Sequence, residues 1–385
     1  MRRDRIMWDG HICASAAVRC LTFGLLMLPA LCGSAAPNSY TMSDFAAVDK
    51  IDIHVHIDSP DTAMIDQAAA DRFRLLTINV DNPDFPPLAE QQRIAQAHRS
   101  AHPALVAYAV SLSMRGWDDP DWRARVIREL DQAFAAGAVG VKVWKNIGMD
   151  FRDANGKLVM IDDPKFDAIF DFIRRRRRVL IGHEGEPHNC WLPIAEMTVN
   201  NDKEYFREHP QYHMFLHPEL PSYEQQMAAR DRMLDKNPGL KFMGAHMASL
   251  EWSVERLGAF LDRYPHAVVD LAARMGQVQY QSNRDRAKVR QFFMRYQDRL
   301  LYGTDAEQEP GADPQSLRSD LHATWLRDWR YLNTDESFSV PELAAPVRGL
   351  SLPKNVVRKI YNSNALRWFG EPWAAAIAPS AMESK

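Results

Sequence analysis

From residue 49 onward, short apolar runs rich in β-branched residues alternate with stretches whose apolar positions repeat at helical spacing. The runs fall at 50–57, 73–80, 105–112, 139–144, 179–183, 241–246, 267–271 and 300–305. Amphipathic stretches lie between them, among them 122–135, 164–176, 223–234, 250–263 and 284–296. Strands alternating with helices predict parallel βα units. Eight is the number that closes a (β/α)8 TIM barrel. The competing arrangement is an open doubly wound sheet, but no glycine-rich phosphate fingerprint follows any strand. The expectation is therefore an α/β barrel forming a single domain.

Three connections are long, at 146–163, 185–222 and 306–353. Each follows a strand and precedes a helix. In a barrel that places all three on the C-terminal face, where active sites are built. No internal repeat appears.

The first residues do not fit this pattern. Arg2, Arg3, Arg5 and Arg19 precede an apolar run from Cys20 to Leu31, and Gly33-Ser34-Ala35-Ala36 follows. This is the order of an export signal, with cleavage near Ala36; a buried N-terminal helix is the alternative. The domains are then 1–36, a signal peptide, and 37–385, the barrel. Of the 4 cysteines only Cys190 outlasts cleavage, so the mature chain has no internal disulfide. The expected location is the periplasm or the medium.

Composition narrows the partners. At 385 residues, 46% hydrophobic and 25% charged, the chain can bury a large core. A formal net charge of −3 gives no reason to invoke nucleic acid. The run Arg174–Arg178 reads as a solvated helix C-terminus. The only long apolar stretch is too short for a membrane span. A small-molecule substrate is the expected partner, and a homodimer stays open.

Residues able to bind a metal stand at the strand ends. His54 and His56 share one face of the first strand by their i, i+2 spacing. His183 ends the fifth strand, His246 the sixth and Asp305 the eighth. A barrel brings all five to one axis. Trp144, Trp191, Tyr212, Phe215 and Trp252 fall at or after strand ends and could wall a pocket or simply pack in the core. Arg274, just past the seventh strand, suits a substrate carboxylate or a salt bridge at a helix start. Glu184 and Glu186 suit substrate hydroxyls or loop orientation. His188, His209, His213 and His217 read as a lid surface.

On His54-Val-His56, His183, His246, Tyr302-Gly-Thr-Asp305 and the closing Tyr361-Asn-Ser-Asn-Ala-Leu-Arg367, the chain resembles the amidohydrolase superfamily, in its amidohydrolase-related branch. The resemblance implies that His54, His56, His183 and Asp305 hold a divalent metal. His246 then assists catalysis or binds a second ion. Lys142, in Gly140-Val-Lys-Val-Trp144, stands where two-metal members carry a carboxylated lysine; a strand-end charge reaching solvent is its alternative reading. Lys142 is favoured over Lys145, which cannot point the same way along a regular strand. One ion is favoured over two, and zinc over manganese.

The chemistry so implied is metal-assisted hydrolysis of an ester, lactone or amide in a small carboxylated or cyclic substrate. Asp305 shuttles the proton and His246 polarises the carbonyl. Weak substrate contacts are assigned to Arg274, Trp144 and Glu186. Related members are non-oxidative decarboxylases, which makes a lyase the second expectation. A binding protein that kept the fold is the third, and it would not need Asp305 as well as the histidines.

Overall fold

A computed structural model of the chain describes residues 38–370 and 372–373. The expected export signal lies outside them. Nine strands form one all-parallel sheet: β1 (Lys50–Ile57), β2 (Phe73–Ile78), β3 (Val106–Ser111), β4 (Gly140–Val143), β5 (Val179–Gly182), β6 (Lys241–Gly244), β7 (Ala267–Asp270), β8 (Leu300–Leu301) and β9 (Ala306–Gln308). Their order is β8-β7-β6-β5-β4-β3-β2-β1-β9.

Helices Ala63–Ala70, Leu88–Ala101, Trp122–Ala135, Asp167–Arg175, Tyr223–Lys236, Val254–Arg263 and Met275–Arg295 follow β1 to β7 in turn, and Pro314–Asn333 follows β9. Local sequence starts several of them. Ser222 and Gln225 form a reciprocal capping box, and the Ser253 hydroxyl accepts from the Arg256 amide at 3.3 Å. The Val254–Arg263 helix buries Val254, Leu257, Phe260 and Leu261, a stripe at helical spacing against the sheet.

β8 and β9, the two ends of the strand order, are joined by residues 302–305. Leu300 and Leu301 pair with β7, whereas Ala306–Gln308 pair with residues 55–57 of β1. The Ile53 amide donates to the Tyr302 carbonyl at 3.0 Å, and the Asp305 amide to that of His54 at 2.8 Å. The expected strand 300–305 is thus interrupted, and its continuation lies at 306–308. Gly303 lies at the interruption, where a Cβ would come 3.0 Å from the His54 Cβ.

Two apolar layers hold the sheet. Ile51, Ile53, Leu76, Ile78, Ala107, Ala109, Ile181, Met243, Val268 and Leu301 form one cluster, drawn from strands all round the sheet. Phe369 and Trp373 join it from the chain's end. Val55, Leu75, Val106, Val141, Leu180 and Val269 face the other way, into the larger cluster shared with the helices. β1 changes register between Asp52 and Val55. This bulge turns both Ile53 and His54 to the inner side, so His54 and His56 sit above the inner layer and Asp52 points outward.

Asp52 is fully buried, and burial pushes its carboxyl up to about 6. It accepts from the Thr304 hydroxyl at 2.7 Å and from Trp325 Nε1 at 3.0 Å. Trp325 stacks on Phe73 with ring centroids 4.0 Å apart. Trp325→Ala should therefore destabilise the fold by about 3–5 kcal/mol, through a cavity and a lost partner for Asp52. A chemical denaturation midpoint close to that of the parent would overturn the assignment.

Two long connections carry structure that sequence reading assigned to loop. Within 306–353 lies the Pro314–Asn333 helix, followed by the hairpin β10 (Ser337–Phe338) and β11 (Val347–Arg348). Within 185–222 lies the helix Asn200–Glu208. Among the described residues, no helix is long and apolar enough to cross a membrane.

Candidate metal centre

The ends of β1, β4, β5, β6 and β7 and the β8–β9 junction surround a cavity of about 640 Å³. Its wall includes His56, Lys142, His183, His246, Arg274 and Asp305. Asp305 Oδ1 lies 3.1 Å from His54 Nε2 and 3.3 Å from His56 Nε2; its Oδ2 lies 3.9 Å from His246 Nε2. His183 packs on His246 with ring centroids 4.3 Å apart. Among the described residues, two groups have ligand atoms mutually within 4.8 Å: His54 with His56 and Asp305, and His54 with His246 and Asp270.

The inner nitrogen of three rings is committed. His54 Nδ1 meets Asp270 Oδ2 at 2.9 Å, His56 Nδ1 meets the Ile78 carbonyl at 2.7 Å, and His246 Nδ1 meets the Ala272 carbonyl at 3.0 Å. Carbonyl oxygens only accept, so His56 and His246 carry their proton on Nδ1 and present an Nε2 lone pair. The same assignment suits His54 facing a carboxylate. His183 has both ring nitrogens buried without a partner. Three aimed lone pairs, an adjacent carboxylate and an orphaned imidazole fit a divalent metal.

Burial sets the protonation. It pushes His54 and His183 well below the usual imidazole value, with Lys142 reinforcing the shift at His54 and His246 at His183. It brings His246 to about 3. Neutral imidazoles are the ligand form. The sequence-based role of His246, polarising a carbonyl, needs a donor at Nε2. In the tautomer its backbone contact imposes, Nε2 accepts instead, as a ligand or base would.

The backbone is strained where it presents these groups. His246, Met247, Ala248 and Ser249 have φ of 55°, 59°, 56° and 55°, a left-handed turn without glycine. Such conformations cost about 1–2 kcal/mol per residue. Buried contacts hold the turn: the Ser249 hydroxyl donates to the Gly185 carbonyl at 2.7 Å, Tyr223 to the Ser249 carbonyl at 2.5 Å and Arg230 to that of Ala248 at 2.6 Å. Asp305 is also left-handed, at φ 68°. Strain of this kind concentrates at functional sites.

The remaining expectations divide. Lys142 is buried, its Nζ 2.8 Å from His54 Nε2, and burial lowers its pKa. Lys145 also reaches the cavity and pairs with Glu186, because β4 ends at Val143 and alternation no longer governs it. Trp144, Glu186 and Arg274 line the cavity as expected. Among the described residues, Arg274 Nε has no hydrogen-bond partner and the side chain makes no salt bridge, while Nη1 donates to the Ala273 carbonyl, so the guanidinium is poised for an anion.

Glu184 is not in the cavity wall. Its side chain lies against Gly182, and burial raises it to about 8. Trp191, Phe215 and Trp252 are not in that wall either: Trp191 packs on Tyr223, Phe215 is 48% exposed and Trp252 stacks on His188. Tyr212 and His217 line a smaller neighbouring cavity, and His213 is buried against the Leu192 carbonyl. The wall instead includes Asp202, Glu204, Tyr205 and Glu208 of the Asn200–Glu208 helix. Sequence reading passed over that helix and Asp270. The signal for Asp270 was there: an acid closing the apolar run Ala267-Val-Val.

A family model for amidohydrolases matches residues 51–370. No curated protein sequence matches the chain. Similar solved structures include an uncharacterized TIM-barrel protein from Bordetella bronchiseptica, at 14% identity over 84% of this chain and 99% of that one, with a TM-score of 0.50. A 2,6-dihydroxybenzoate decarboxylase from Rhizobium shows 15% identity over 83% and 98%, with a TM-score of 0.48. A dihydroxybenzoic acid decarboxylase from Polaromonas, with bound manganese and 2-nitroresorcinol, shows 16% identity over 85% and 98%, with a TM-score of 0.45. At 14% identity the likeness to the Bordetella protein speaks to fold alone.

Proposed function

The chain belongs to the amidohydrolase family, and from this we propose that it is an exported, metal-dependent hydrolase of a small carboxylated or cyclic ester, lactone or amide. We read β8 and β9 as two halves of one strand, which makes the sheet an eight-stranded barrel. The observation that carries the reading is the convergence of the His54 and His56 Nε2 lone pairs on Asp305 at the floor of a cavity. His54, His56, His183 and Asp305 would hold the ion, zinc before manganese. When bound, a divalent ion supplies Lewis acidity and ionises water near neutral pH.

The chain's own groups do the rest. Asp305, ionised at neutral pH, takes the proton of the attacking water and returns it to the leaving group. His246 Nε2 accepts a hydrogen bond from that water or joins the ligand set. Arg274 holds a substrate carboxylate with its free guanidinium face. Trp144 and the Asn200–Glu208 helix restrict water at the mouth.

Arg274 also favours a second reading. A carboxylate held there could be the group lost, which would make the enzyme a decarboxylase on the same residues. Metal analysis followed by a panel of lactones, esters, amides and aromatic acids separates the two. A new carboxylate without gas supports the hydrolase, and carbon dioxide release supports the lyase. One ion per chain is expected. Two ions, falling to one in Lys142→Ala, would replace the single-ion reading. A chain that takes up no divalent metal would sink both enzymes and leave a binding protein.

A further inference from the structure

Asp270 closes β7 with both carboxylate oxygens engaged on different parts of the site. Oδ2 faces His54 Nδ1 at 2.9 Å. Oδ1 accepts from the His246 amide at 2.7 Å and from the Ala272 amide at 3.2 Å. The residue is fully buried, and it does not line the cavity. It therefore acts through its neighbours.

Its two oxygens do different things. Oδ1 pins the first amide of the left-handed turn that presents His246. It also ties the Ala272 amide of the segment whose carbonyl receives His246 Nδ1. Oδ2 addresses the other imidazole. Around Nε2 stand Lys142 Nζ at 2.8 Å and Asp305 Oδ1 at 3.1 Å, an amine and a carboxylate that do not call for the same tautomer. The place of the His54 proton is therefore decided at Nδ1, where the Asp270 carboxylate at 2.9 Å accepts it.

We propose that Asp270 is a positioning residue that sets the His54 tautomer and the His246 turn with one carboxylate, so that both Nε2 lone pairs face the same ion. This rests on the metal-dependent reading insofar as His54 is a ligand. Asp270→Asn separates the two tasks. The Asn oxygen can still accept from the His246 and Ala272 amides. Its amide nitrogen, now facing His54 Nδ1, can only donate. Rotating the amide would set a donor against two donors. The variant thus keeps the turn and drives the His54 proton to Nε2, where it faces Asp305 and blocks ligation.

The test begins with the parent chain free of metal, whose His54 tautomer is read from long-range nitrogen–proton correlations of histidine-labelled protein, assigned with His54→Gln. The expected result is a proton on Nδ1; a proton on Nε2 overturns the proposal whatever the enzyme proves to do. Zinc affinity is then measured by competition with a chromophoric chelator. Asp270→Asn should move the His54 proton to Nε2 and weaken zinc by about 10- to 100-fold, the usual effect of losing a partner behind a ligand. Its circular dichroism should stay that of the parent. Binding within twofold of the parent, or an unchanged His54 tautomer in the variant, overturns the proposal. If the parent itself binds neither zinc nor manganese, the enzymatic reading fails, and the tautomer measurement still decides the role of Asp270.

Discussion

Asp305→Asn should fold normally and turn over substrate at least about a hundredfold more slowly than the parent, the low end of what a lost general base costs. Asparagine keeps the size of the side chain and one acceptor oxygen, but it cannot take a proton near neutral pH. The backbone adds little to the effect. Asp305 sits at φ 68°, and asparagine is among the few residues at ease there. The comparison thus spares the backbone, as alanine at the same position would not, and metal content measured beside the rate separates lost ligation from the lost base. His246→Asn, also at a left-handed position, lowers turnover through a different contact and leaves the proton shuttle in place. Steady-state rates on the best substrate of the panel decide the matter: Asp305→Asn within a few-fold of the parent would remove the central step of the mechanism.

Replacing both His54 and His56 with alanine should abolish bound metal and take activity below detection. Two of the four proposed ligands vanish, including the one nearest Asp305. The fold should survive, because the inner apolar layer from Ile51 to Leu301 lies beneath the ligands. A stability loss of about 1–3 kcal/mol is expected, since Asp270 Oδ2 is left buried without a partner. Metal content per folded chain is the measurement. Stoichiometric metal in the double variant would mean that the ligands lie elsewhere.

Much of this arrangement was legible in the residues. The run Lys50–Ile57 and the stripe Trp122–Ala135 appear with the boundaries their periodicity predicts. The histidines at the strand ends needed only the barrel to bring them together. What was missed has physical causes. The Asn200–Glu208 helix buries only Asp202 and Phe206, so no apolar period marks it. The Pro314–Asn333 helix did carry a period, with Leu321, Trp325, Trp329 and Leu332 buried, and a proline start after Asp313, yet sequence reading leaves it inside a long connection. Nothing in Ala245-His-Met-Ala-Ser249 announces a left-handed turn, for it holds neither glycine nor asparagine. Tertiary contacts impose it. The tautomers were out of reach too, because they depend on oxygens brought from other strands.

The meeting of β1 with the β8–β9 segment also orders events in time. Asp52 and Thr304, bonded across that junction, are 252 positions apart in the chain. Contacts of such span form late, after the shorter loops between successive strands have closed. His54 and His56 lie on one side of the junction and Asp305 on the other. A chain still emerging from the ribosome, or one cut before residue 300, has its histidines but no carboxylate to complete the set. On the proposed ligand set, the cluster is therefore completed only by the last long-range contact of the fold, and a half-made protein would lack the finished site.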